Sequence, residues 1–341
     1  MLSISAPYAE NDFEPANGGA VFSFPEDITC IKKFRQTLYI FGSKFIRKLT
    51  GFGVSTYKLE HVTDSVGCIA SRSIQEIAGD LLFLAADGLR TVAGTDKIDD
   101  VELGTISRAV QPLMTASNLP VPETDYICSA VVRNKSQYRL FVPVASYDTD
   151  RTQGVIAVIT DSGWEFSSML GIRPVCSTDA VLDSDRSQVI HGDENGFIFK
   201  QEDGKLFDDI SIPFLFHTPE LMLGDPGIRN EFHRVILNLD QEGRSKFNMN
   251  LLYNFEDAES PQPETYMFSE GSSLDVFGPA SLFGTVLFSV EPKGFIRQPV
   301  EGSGFTASLK FTNDTALSAA DSSDSFTFKG VQIEHINSGR R

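Results

Sequence analysis

The sequence is poor in the signatures that mark most catalytic and metal-binding chains. It has four cysteines, Cys30, Cys68, Cys128 and Cys176, and no two of them form a CxxC pair. That spacing leaves a zinc ribbon or a redox dithiol without its motif, and the thiols are expected as small buried hydrophobes of a protein made in a reducing compartment. The five histidines, His61, His191, His217, His233 and His335, include no HExxH and no helical i, i+4 pair, so a helix-borne zinc protease has no ligands here. No Walker GxxxxGK[ST], no GxGxxG opening a helix and no GxSxG elbow occurs; Gly302-Ser303-Gly304 lacks the elbow spacing and is expected as a β-bulge or tight turn. No apolar run resembles a signal peptide or reaches the roughly 18 residues that cross a bilayer, so membrane insertion is not expected and cytoplasmic synthesis is. Positive charge is also short: 29 Lys plus Arg stand against 46 Asp plus Glu, a formal net charge of −17. Long-range repulsion then opposes polyanions, and tight nucleic-acid binding is not expected.

What the chain does have is apolar and turn-forming material. Of its 341 residues 41% are hydrophobic, with 27 Phe against a single Trp, and 27 Gly and 16 Pro punctuate the runs. This is enough for a sizeable core built of short strands and many turns. Strand–turn–strand units recur: Leu38–Phe41 into Phe45–Leu49 through Gly42-Ser43, Leu81–Ala85 into Leu89–Val92 through Asp87-Gly88, Val155–Ile159 into Trp164–Phe166 through Asp161-Ser162-Gly163, and Gln188–His191 into Phe197–Phe199 through Asp193-Glu194-Asn195-Gly196. Asp-Gly and Asn-Gly between apolar runs are hairpin signals because tight turns need positive φ. Ala130–Val132 and Tyr138–Val142 add strands between the units. The loose interval of roughly 40 residues is that of a propeller blade, which must stack on neighbours to bury both faces. One helical candidate, Asp99–Leu113, is kept short by Gly104 and Pro112.

From Asp208-Asp209 onward the pattern changes to alternating strands: 210–223, 232–239, 247–253, 285–290, 305–311 and 326–336. In Phe247-Asn248-Met249-Asn250-Leu251 the apolar residues share one face, the period-2 mark of an antiparallel sandwich. Glu256–Glu264 and Thr315–Ser325 are expected as exposed loops. The expected organisation is all-β: an N-terminal arm over 1–24 available to a neighbour, a propeller-like array over 25–208 and a β-sandwich over 209–341.

Local constellations assign no catalytic, cofactor or metal site. His191 beside Asp193 fits turn chemistry better than an acid–base pair. Asp183-Ser184-Asp185 and Asp193-Glu194-Asn195-Gly196 resemble pieces of a calcium loop but lack the ordered acids and closing Glu of an EF-hand. Thr160-Asp161-Ser162-Gly163-Trp164 is similar to the Asp-box hairpin of sialidase-like propellers, which is a structural turn there; a glycosidase needs two carboxylates across a sugar, and spacing chooses no pair here.

Two blocks carry a wider resemblance. Phe34–Gly42, Val66–Ile74 and Asp80–Arg90 form the first. The second is His217-Thr218-Pro219, Gly224-Asp225-Pro226, Gly302-Ser303-Gly304 and the ending Ile333–Arg341. In this order they resemble the nozzle, or tubular protein B and packaged-DNA stabilisation, proteins of short-tailed bacteriophages. The resemblance implies a non-enzymatic virion subunit forming a homo-oligomeric ring, expected as a hexamer. Such a ring lies below the portal and adaptor around the DNA channel, with other tail, adaptor or fibre proteins as neighbours. A tail-hub, adaptor-like or fibre-docking role stays open beside it, as does a carbohydrate-binding or carbohydrate-cleaving receptor module. On the ring reading, Asp179, Asp183, Asp185, Asp193, Glu194, Glu202 and Asp203 are candidates for a negative channel wall or, equally, a solvated outer face.

Overall fold

In a computed structural model the chain is all-β, and no helix among the described residues exceeds a single 3-10 turn. The structure describes residues 1–53, 56–93, 105–111, 126–142, 153–169, 172, 174–181, 187–193, 195–204, 206–207, 210–212, 214–225, 227–241, 245–257, 259–270, 294–313 and 326–338. Two compact units emerge, Met1–Asp203 and Gly204–Arg341. The sequence reading sets the boundary close to Gly204–Asp209, and the packing divides at 203/204, after the charged turn that closes the first unit.

The first unit is a succession of antiparallel sheets, each built from consecutive strands. β1 (Leu2–Ile4) pairs with β2 (Ala20–Phe22). β3 (Ile28–Phe34), β4 (Thr37–Gly42), β5 (Ile46–Thr50) and β6 (Lys58–Thr63) follow as a four-stranded meander, then β7 (Gln75–Ile77), β8 (Asp80–Ala85) and β9 (Gly88–Thr91) as a three-stranded one. β10 (Cys128–Val132), β11 (Gln137–Val142), β12 (Gln153–Thr160) and β13 (Gly163–Met169) form the next sheet, and β14 (Cys176–Val181), β15 (Ser187–Gly192) and β16 (Ile198–Lys200) the last. Among the described residues no sheet closes on itself.

The sheets are held by cores that alternate with them. Along β8, Leu81, Phe83 and Ala85 join Phe34, Phe41 and Ile46 of the preceding sheet, while Leu82 and Leu84 join Val131, Tyr138, Leu140 and Val155 of the following one. Successive strand side chains point to opposite faces, so a strand buried on both faces has to read as an unbroken apolar run, and Leu81–Ala85 does. β10 divides likewise: Val131 faces one core, Ala130 and Val132 the other. Each fully buried Leu, Val or Phe contributes about 1.5–3 kcal/mol relative to exposure. Polar ties cross the same junction. Tyr138, wholly buried, donates to the Ser73 carbonyl at 2.7 Å, and Ser129 donates to the Arg72 carbonyl at 2.7 Å. Burial pushes the Tyr138 phenol well above its ordinary range, so it remains a donor.

Three expectations change here. Residues 1–24 are not a free arm: Leu2, Ile4, Phe22 and Phe24 pack on Ile40, Phe45 and Leu49, covering the outer face of the first meander, and Phe24 stacks on Phe45 at 5.6 Å. An apolar sheet face at the start of an array needs such a cover, and the nearest chain supplies it. The helix expected at Asp99–Leu113 is described only over 105–111, where a 3-10 turn spans Arg108–Val110. Cys68 and Cys128 are buried, with thiols pushed up to about 12 and about 11 by desolvation, but Cys30 is only partly buried and Cys176 is exposed.

The second unit opens with the two-residue strands β17 (Leu206–Phe207) and β18 (Ile210–Ser211) and contains two antiparallel sheets. One has the order β19 (Leu215–His217), β26 (Thr306–Thr312), β22 (Ser245–Tyr253), β23 (Tyr266–Glu270), with β20 (Leu221–Met222) also on β26. The other centres on β21 (Asn230–Gln241), flanked by β24 (Phe295–Pro299) and β25 (Ser303–Gly304) on one edge and by β27 (Phe326–Asn337) on the other. Val235, Leu237 and Leu239 of β21 share one core with Phe247, Met249 and Leu251 of β22 and Leu309 and Phe311 of β26. The single strand expected over 210–223 is three short ones, and Pro219, which has no ladder donor, stands between the last two. The loop 256–264 is tied down through Gln262, which accepts from the Tyr253 amide at 2.7 Å and donates to its carbonyl at 3.1 Å. The strand expected at 285–290 and the loop at 315–325 lie outside the described residues. Gly302 sits at φ +119° with its Cα against the Tyr253 ring, where a Cβ would come within 2.5 Å, so the Gly-Ser-Gly run is a close approach leading into β25.

Because each unit has its own core, a fragment spanning 204–341 is expected to fold alone and unfold cooperatively. Circular dichroism and urea titration check this; a fragment without a cooperative transition would show that the first unit is needed.

Candidate functional site

The histidines weighed in the sequence stand on five different strands. His61 on β6 bonds Asp64 at 2.9 Å on the surface, and His335 on β27 lies beside Phe232 with ring centroids 6.3 Å apart. His233 on β21 is exposed, its carbonyl accepting from the Val300 amide at 3.1 Å. His191 on β15 is buried, but Asp193 is not its partner. Asp193 uses its oxygens on its own turn, accepting from the amides of Asn195 at 3.0 Å and Phe197 at 2.8 Å. The Asp-box-like turn is held by Thr160, whose hydroxyl meets Ser162 at 2.8 Å and the Gly163 carbonyl at 3.0 Å, and Trp164 packs on the core. Asp183, Asp185 and Glu194 lie outside the described residues. Of the remaining acids proposed for a channel wall, Asp179 meets Arg133 at 3.6 Å, Glu202 meets Lys135 at 2.8 Å and Asp203 meets Lys200 at 3.0 Å. These three are neutralised locally and contribute less to a long-range field than a bare count implies.

One constellation was invisible in the sequence. His217 Nε2 lies 3.2 Å from Ser308 Oγ, Ser308 Oγ lies 3.2 Å from Glu220 Oε1, and Glu256 Oε1 lies 3.8 Å from the same His217 nitrogen. A serine, a histidine and acids within reach invite a hydrolase reading, but the proton directions oppose it. A carboxylate only accepts, so Ser308 donates to Glu220 and accepts from His217; the histidine is not positioned to take the serine proton. Glu256 meets the serine-facing nitrogen, not the opposite one that a triad acid would orient. Ser308 is also buried within the sheet. The group reads as a polar clasp joining β19, β26, the residue that precedes β20 and the turn that follows β22.

The feature with interaction chemistry is the lateral edge of the second unit formed by β27 and β19. β27 is twelve residues long and pairs along one side with β21; among the described residues nothing pairs with its other side. An unpaired edge presents free amide and carbonyl groups, a template for another strand. Its core-facing side chains, Phe326, Phe328, Val331 and Ile333, pack on the core yet remain only partly buried. Across the seam, Phe214 meets Phe326 at 5.6 Å and Phe216 meets Phe328 at 5.6 Å, with Phe216 48% exposed. Leu215 and Ile336, 64% and 60% exposed, stand on the opposite faces of β19 and β27 from these rings and add apolar surface along the edge strands. On the other face Lys329 and Asp240 pair at 2.9 Å and Arg234 and Glu334 at 3.4 Å, a charged border to an apolar seam. Alternation in β27 was legible in the sequence; that its strand closes no sheet was not, because edge position depends on partners remote in the chain.

No protein-family model matches the chain, and no curated protein is similar to it at a significant level.

Proposed function

We propose that the chain is a non-enzymatic structural subunit of a bacteriophage virion, assembling through lateral contacts into a homo-oligomeric tail or nozzle ring around the DNA channel. On this reading the first unit is an open, propeller-like array of blade-like sheets and the second a β-sandwich. The observation that carries it is the apolar, unpaired β27–β19 seam, which fits continuation by the edge of a second copy. In a ring the two contacting surfaces differ, so one open edge per subunit is engaged by another surface of its neighbour. Main-chain pairing supplies affinity, and the half-exposed phenylalanines supply register.

Light scattering on the purified protein, with negative-stain microscopy, tests this: a closed particle of fixed subunit number is expected. Ile336→Lys, placed at an exposed site so that folding is unaffected, is expected to weaken association by about tenfold or more, the range of an interfacial hot spot. A protein that stays monomeric at every concentration and never enters particles when mixed with tail components would overturn the proposal.

A further inference from the structure

The cores between successive sheets of the first unit are unequal. Among the described residues, twelve buried ones, from Ala70 to Ala157, form the cluster between the β7–β9 and β10–β13 sheets, whereas Ala130, Val132 and Val189 form the cluster between β10–β13 and β14–β16, with Cys128 and Phe141 buried beside it. A polar relay runs through the same junction. Arg139 on β11, 3% exposed, donates from Nη1 to Gln201 Oε1 at 2.9 Å and from Nη2 to Gln137 Oε1 at 2.9 Å and to Glu202. Glu202 also receives Lys135 at 2.8 Å. Gln201 Nε2 lies 3.2 Å from His191 Nδ1, and the His191 ring stacks on Phe199 at 5.4 Å.

Proton directions along this relay are fixed by chemistry. A guanidinium has donors only, so the Gln201 carbonyl must face Arg139 and the Gln201 amide must face His191. His191 Nδ1 must then accept, which requires a neutral ring with its proton on Nε2. Protonating Nδ1 sets two donors against each other in a buried place, with the Arg139 charge directly behind Gln201.

We propose that this junction is an acid-sensitive hinge: protonation of His191 turns the Gln201 amide to present its carbonyl to the ring, which breaks the Arg139–Gln201 bond crossing the junction and lets the β14–β16 sheet open from the rest of the first unit. The charges around it are accounted for element by element. Arg139 on β11 and Lys135 on the turn before it oppose the imidazolium, with Glu202 compensating both. On β14, Asp179 is engaged by Arg133 at 3.6 Å, and beyond β16 Lys200 and Asp203 pair with each other at 3.0 Å. Asp193 favours the charged ring, but burial opposes it more strongly and holds His191 below its ordinary 6.5. A base held low in the closed state takes up its proton on opening, so closure is fully favoured above 6.5 and lost progressively as pH falls below it.

Hydrogen exchange of the full chain, followed by mass spectrometry and corrected for intrinsic rates, reads the opening directly. Between about pH 7.5 and about pH 5.5 the opening constant of peptides from β15 and β16 is expected to rise, by at most about tenfold per pH unit for a single proton. Exchange in β8 and β11 should stay flat. His191→Gln removes the titration and should flatten the profile. Gln201→Glu places a carboxylate that accepts from both Arg139 and a protonated His191, and should reverse the slope. A flat wild-type profile, an unchanged rise in His191→Gln or an unchanged slope in Gln201→Glu would overturn the proposal. Should the variants fail to fold, titration of His191 by NMR in the wild type decides: a value at or above the ordinary one sinks the idea.

Discussion

Replacing Phe247 by alanine is expected to destabilise the second unit by about 3–5 kcal/mol, the range for removing a well-packed core aromatic, while leaving the unfolding of the first unit in place. Phe247 stacks on Phe268 at 4.9 Å and touches Phe326 at 5.2 Å and Phe311 at 6.3 Å. Through Phe311 it reaches Phe328 at 5.2 Å and Phe216 at 6.1 Å. These rings come from both sheets, so the hole left by alanine is walled by side chains fixed on separate ladders and collapses little. The pairs also lose the stacking contribution beyond area, about 0.5–1.5 kcal/mol each. The measurement has a built-in control. The single tryptophan, Trp164, lies in the first unit, so its fluorescence follows that unit while far-ultraviolet dichroism follows both. In Phe247→Ala the dichroism should show an early transition that Trp164 does not report. A loss under about 1 kcal/mol would mean the cluster repacks, and a Trp164 transition moving in step would mean the two units unfold as one.

The parts of the fold legible in the sequence are those set by neighbouring residues. Asp87-Gly88 announces its hairpin because Gly88 sits at φ +128°, where a side chain is costly, and because a Cβ there would fall within 2.4 Å of Ser107 Oγ. Leu81–Ala85 announces a strand buried on both faces. Asp193 was readable as a turn residue because its partners lie two and four positions on. Charged strands were harder: Lys58–Thr63 has no apolar alternation to reveal it, being held as an outer strand with Glu60 between Lys58 at 2.6 Å and Lys48 at 3.3 Å. The polar relays were not legible at all. Arg139 and Gln201 are separated by 62 positions and Ser308 and Glu220 by 88, and nothing local distinguishes these residues from ordinary surface ones. The edge status of β27 was hidden for the same reason, since an edge is defined by the strand that does not arrive.

Removing the Asp87 carboxylate by an alanine substitution is expected to cost the first unit about 3–5 kcal/mol, because it takes away a carboxylate paired with a buried cation. Arg90 is 1% exposed, and its Nε donates to both Asp87 oxygens, at 3.0 and 3.2 Å. Thr105 adds a hydroxyl donor to the same carboxylate at 2.9 Å. A guanidinium cannot shed its proton in a protein, so the Arg90 charge stays in place when the carboxylate goes. The double substitution Asp87→Ala/Arg90→Leu removes both charges and fills the space with an apolar side chain, so it should recover most of the loss. Acid provides an independent reading of the same pair. Burial by itself raises the Asp87 carboxyl, but the bonds from Arg90 and Thr105 outweigh it and hold the group below its ordinary 3.8. A carboxyl depressed in the folded state contributes stability above 3.8 that is lost as pH falls through the lower folded value. Urea midpoints followed by Trp164 should therefore fall below about pH 4 in the wild type and fall less steeply in the double variant. This window lies well under the one assigned to His191, so the two titrations separate on a single pH profile. A single variant losing under about 1 kcal/mol, or a double variant no more stable than the single, would show that Arg90 is held by its other contacts and not by Asp87.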